Sequence, residues 1–107
     1  MNTEAIENRA HAALKYLTDT DEQAAELKHD AERAEFLYES NVDAFFLHES
    51  EGTVESRKAK ARQSAGQHYL EFLEAQRKYD AVANKRKSEA LAVDWCRSLY
   101  SNYRQGK

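Results

Sequence analysis

Four histidines, one cysteine and a single Glu-x-x-His unit are the residues in this 107-residue chain whose chemistry can be tested against their spacing. His11, His29, His48 and His68 are scattered, with no second ligand at the short intervals that a zinc site requires. Glu26 and His29 match the Glu-x-x-His unit of di-iron helical bundles. Such a site needs that unit twice, together with two further inward glutamates, and no second unit occurs. Cys96 follows Trp95 in an apolar run with no histidine near it in sequence, which suits packing better than nucleophilic catalysis. A phosphate-cradling glycine loop and a nucleophile elbow are both missing. The residues therefore predict a protein that is not an enzyme and that needs no metal or cofactor.

The remaining candidates are cations. "SRKAKAR" carries Arg57, Lys58, Lys60 and Arg62, and "NKRK" carries Lys85, Arg86 and Lys87. Runs of this kind bind phosphates through charge and counterion release, and nearby Tyr and Trp rings offer stacking surfaces for single strands. The same runs also serve as ordinary solvated helix faces. A pI near 5.8 and the lack of a base-reading motif count against an independent DNA-binding domain. Nucleic acid contact is thus the secondary expectation for these residues, behind contact with a protein partner.

What must position them is helical. The chain has no proline and only three glycines, and a third of its residues are charged. That composition predicts an all-α fold in one domain. A leading helix is expected over about residues 4–17. Thr20 with Gln23 fits a capping box and opens a long helix over 21–49. "SEG" ends it, because Gly52 adopts a left-handed conformation at little cost. Thr53 then caps a short basic helix over 54–63, and Ser64 with Gln67 suggests a second capping box before a last helix over 67–103.

At ~1.5 Å per residue the two long helices are rods of about 43 and 55 Å, and an elongated, coiled-coil-like antiparallel hairpin follows. Along the first rod Ala24, Leu27, Ala31, Ala34, Tyr38, Val42 and Phe45 share one narrow face. Phe36 and Leu47 lie off it, where a single partner helix would leave them exposed. The last rod has two stripes, Phe72, Tyr79, Ala83, Ala90, Val93 and Tyr100 on one side and Leu91, Ala92, Trp95 and Leu99 on another. Two stripes ask for two neighbours, so a homo-oligomer, a dimeric bundle, is expected. Trp95 is read as locking the C-terminal end of that bundle, with a hot-spot anchor for a partner as the alternative.

Charge divides sharply along the chain. Residues 1–52 hold 13 acids and four Lys or Arg, a balance of −9; residues 53–107 hold six acids and 12 Lys or Arg, a balance of +6. Opposite halves are expected to face one another, with Arg86, Arg97 and Arg104 toward the acidic helix. No run of eighteen apolar residues and no signal-like opening is present, and a lone cysteine cannot form an internal disulfide. No membrane span and a bacterial cytoplasmic location are the expectations.

"ESEGTVESRKAKA" followed by "YDAVANKRKSEALAVDWCRS" resembles a family of small helical proteins of tailed bacteriophages and prophages. In that family an acid-Gly-Thr-Val segment with basic residues leads to a basic tripeptide and an apolar-Asp-Trp-Arg-Ser ending. The resemblance covers about residues 49–98; here Cys96 stands between Trp95 and Arg97, and the leading 40 residues do not share it. It implies a phage origin and an association with recombination or replication. It also points to Gly52, Thr53, Arg57, Lys58, Trp95, Arg97 and Ser98 as positions that matter. The expected function is an accessory interaction protein in phage DNA metabolism. The alternatives are an inhibitor of a host nuclease or defence complex, with the acidic helix through Glu32, Glu35, Glu39 and Asp43 imitating DNA, or a structural assembly component.

Overall fold

The computed structural model describes residues 2–105, which form four α-helices and no strand. These are α1 (Thr3–Asp19), α2 (Asp21–His48), α3 (Val54–Ser64) and α4 (Gly66–Gln105). Every predicted helix is present, with ends within two residues of those expected. By packing, the chain separates into two compact units, residues 2–24 with 80–105 and residues Ala25–Tyr79.

Local chemistry accounts for most helix ends. Asn2 has extended backbone (ψ 166°) and its Oδ1 accepts from the Ala5 N–H at 2.8 Å, satisfying one of the four orphan donors of a helix start. Thr53 does the same for α3, with ψ 163° and the Ser56 N–H donating to its hydroxyl at 3.1 Å. Thr20 does not cap α2. Its backbone is near-helical (φ −104°, ψ 3°), its N–H donates to the Tyr16 carbonyl, and the Ala24 N–H donates to its own carbonyl. The hydroxyl donates back to the Tyr16 carbonyl at 2.7 Å, an i−4 bond that competes with capping. The predicted box at Ser64 and Gln67 does not form either, because Ser64 is the last residue of α3 and not the residue before a new helix. Ala65 occupies the junction, and hydrogen bonds run through it from Ala65 to Ala61 and from Tyr69 to Ala65.

Gly52 is the one described glycine with a left-handed backbone, at φ +95°. A Cβ placed there would also sit 3.3 Å from the Ser56 hydroxyl. Gly52→Ala is expected to cost about 1–2 kcal/mol, since left-handed backbone penalises any Cβ. A thermal melt unchanged from wild type would show that the turn relaxes.

In the first unit α1 runs antiparallel to the C-terminal half of α4: Arg9 meets Glu89, and Tyr16 lies under Lys85. Its buried residues are Ile6, Ala13, Val93 and Cys96. In the second unit α2 runs antiparallel to the start of α4, with the Tyr38 and Tyr69 rings 5.1 Å apart and Tyr69 edge-on to Phe72 at 6.5 Å. The buried residues there are Ala31, Ala61 and Ala65. The inward face expected for α2 is the observed one, except that Phe45 stays 37% exposed. On α4 Val93 faces inward as expected, but Ala90 is exposed and Glu89 takes the inner position.

Candidate interaction surfaces

The eight candidate contact cations do not form one patch, because the fold consumes three of them. Arg57 is partly buried; its Nε donates to the Glu49 carbonyl at 2.8 Å and its guanidinium lies 4.6 Å from the Phe46 ring centroid. It thereby ties the start of α3 to the end of α2. The Lys85 ammonium sits 4.5 Å from the Tyr16 centroid. Arg86 donates to the Leu17 carbonyl and to the Thr20 hydroxyl, each at 2.7 Å, and to Asp21 at 3.2 Å. No local pattern announces these contacts, whose partners are 65 to 69 residues away for Arg86.

Lys58, Lys60, Arg62 and Lys87 are exposed, with no hydrogen-bond or ion-pair partner among the described residues. At about 100° per residue Lys58 and Arg62 share one side of α3, and Lys60 points to the other. Arg97 is 3.9 Å from Asp94 on its own helix and Arg104 stacks over Tyr100, so of the three arginines expected to face the acidic helix only Arg86 does.

Charge complementarity between the halves is accordingly slight. Arg86–Asp21 has the expected sense and Arg9–Glu89, at 2.7 Å, has the reverse. Further pairs lie within single helices, including Lys15–Asp19 in α1 and Arg77–Glu74 in α4. The Arg77 hydrogen bond holds the Glu74 carboxyl below its ordinary pKa, and the Glu89 hydrogen bond raises that of Arg9. Glu32, Glu35, Glu39 and Asp43 are exposed and have no cation partner among the described residues.

Apolar side chains supply the other surface features. Trp95 is 55% exposed, which corrects its expected place in the core. The reason is helical phase: Val93 and Cys96 face inward, so the position between them, 200° from one and 100° from the other, turns out. Leu91, one turn earlier, is 61% exposed beside it. Cys96 is buried, as its apolar setting suggested. It lines an open groove of about 620 Å³ with Ile6, Ala10, Tyr100, Glu7 and Arg97. In the second unit Phe36 and Leu47 are 67% and 79% exposed, as their phase on α2 required.

His11, His29 and His48 are exposed, and His68 Nδ1 lies 3.7 Å from the Glu71 carboxylate. No group of three or more His, Cys, Asp or Glu side chains converges among the described residues. No helix among them is long and apolar enough to cross a membrane. No known protein family, curated protein or solved structure matches the chain.

Proposed function

We propose that this chain is a helical interaction protein that works by docking to other proteins and not by catalysis. Following the likeness of residues 49–98 to small phage proteins, it would serve as an accessory in phage DNA recombination or replication. The observation that carries this reading is an unfinished core. Among the described residues four of the seven buried core residues are alanines and no large side chain is fully buried, while Phe36, Leu47, Leu70, Leu91 and Trp95 each leave more than half their surface in water. Apolar surface left in water at about 25 cal/mol per Å² is a standing drive to associate.

Two other readings are weaker on magnitude. Of the eight candidate cations only four are unengaged among the described residues, divided between two sides of α3 and one position on α4. DNA mimicry needs charge density. The 28 residues of α2 hold eight acids and two Lys or Arg, a net −6 over about 42 Å, or one charge per roughly 7 Å. DNA presents one per about 1.7 Å. A face that alternates sparse acids with Phe36 and Leu47 fits a protein surface better than it imitates a phosphate array.

The test is retrieval on the immobilised chain from phage-infected cells, compared with the Leu91→Ala, Trp95→Ala variant. Both side chains are exposed, so the fold should survive while a tryptophan anchor is lost. Retention of a protein of phage or host DNA metabolism should fall by about tenfold or more. Equal retention by the two chains, or retention of nothing, counts against docking through this face; retention lost on nuclease treatment would favour the nucleic acid reading instead.

A further inference from the structure

The outer side of α2 carries Glu39, Asp43 and Leu47 at successive intervals of four residues, and the outer side of α3 carries Val54, Lys58 and Arg62 at the same interval. Each triplet is an i±4 ridge, the row of side chains that interdigitates in the commonest helix–helix packing. All six are exposed, with Leu47 at 79% and Val54 at 52%. None of the four charged residues has a partner within the chain among the described residues.

Laid antiparallel, the two ridges match position by position. Leu47 meets Val54, Asp43 meets Lys58, and Glu39 meets Arg62. They do not meet within one chain, where α3 is held to the end of α2 by Arg57, through the Glu49 carbonyl and the Phe46 ring, and both ridges are left in water. They can meet between two copies. We propose that the chain forms a two-fold symmetric dimer in which the α2 ridge of each copy packs antiparallel on the α3 ridge of the other.

Three observations converge on a second copy as the occupant. The ridges have equal length and opposite charge sequence, which is what an isologous contact between copies demands: whatever α2 presents, α3 of the same chain must complement. The apolar ends coincide, so that Leu47 and Val54 lose water together while the charged pairs fix register and direction. Phe36, three residues before Glu39 and 67% exposed, lies on the same outer side of α2 and would lose water against the C-terminal end of the opposing α3. Acidic and basic halves that scarcely pair within the chain would then pair between chains.

The dimer rests on the reading of this chain as an interaction protein and names its first partner. The test is a charge exchange on the purified full chain, followed by sedimentation at micromolar concentration. Glu39→Lys with Asp43→Lys makes both ridges basic, and Lys58→Glu with Arg62→Glu makes both acidic. Each variant alone should self-associate at least about tenfold more weakly than wild type. Mixed in equal amounts they should dimerise again, since both contacts in the mixed pair are complementary, and a chain carrying all four changes should dimerise alone. Circular dichroism on each variant establishes that helicity is retained; Leu47→Ser, which leaves every charge in place, should also weaken the dimer. A monomeric wild type, a reversed variant that still self-associates, or a mixture that stays monomeric would each overturn the proposal. No other protein is present in this experiment, so these outcomes leave the retrieval result standing, and loss of retrieval with an intact dimer would fall on the functional reading alone.

Discussion

Val93→Asp is expected to destabilise the first unit by about 3–5 kcal/mol, the range for an unpaired charge placed in a buried apolar site. Val93 is 6% exposed and shares its core with Ile6, Ala13 and Cys96. No buried polar side chain is present among the described residues to receive a carboxylate there. Neutralising it would remove the charge but leave an unsatisfied hydroxyl, which still costs on the order of 1–3 kcal/mol. Because this core is so thin, a loss of that size is comparable to the net stability of a small domain. Urea unfolding followed by circular dichroism measures it. A shift under about 1 kcal/mol would mean that α1 and α4 separate cheaply enough to let the carboxylate reach water.

Arg86→Ala should cost about 2–3 kcal/mol, because one guanidinium serves three acceptors at the junction of α1 and α2. The last carbonyls of a helix have no partner in their own helix, and Arg86 supplies one to Leu17 while it also holds Thr20 and Asp21. Its side chain is 23% exposed, so water does not readily replace it. Arg86→Lys keeps the charge but not the planar fork of donors, and should recover less than half of the loss. Thermal melts of the two variants decide this. Full recovery by lysine would show that charge alone matters at the junction, as a cation near a helix C-terminus would supply.

Helix-forming composition and residues acting over three or four positions made much of this molecule readable in one dimension. Without proline, and with alanine and long charged side chains throughout, the chain had little alternative to helices. Gly52 and Thr53 mark the turn after α2 and the start of α3 because a left-handed backbone and a capping hydroxyl act locally. The inner face of α2, and the outward placement of Phe36 and Leu47, follow from helical period alone.

Contacts between distant residues were of a different kind. Thr20 has the local pattern of a cap, yet its hydroxyl is engaged by Arg86 from 66 residues away and by the Tyr16 carbonyl. Lys85 and Arg57 belong to basic runs that look uniform in sequence, and only packing shows that each is held by a ring, while Lys58 and Arg62 are left in water. Trp95 could face inward or outward until the partner of Val93 and Cys96 was in place. Periodicity relates side chains on one helix to one another, but it does not say which side its neighbour takes. That choice, and with it the list of residues free to bind, is made when helices pack.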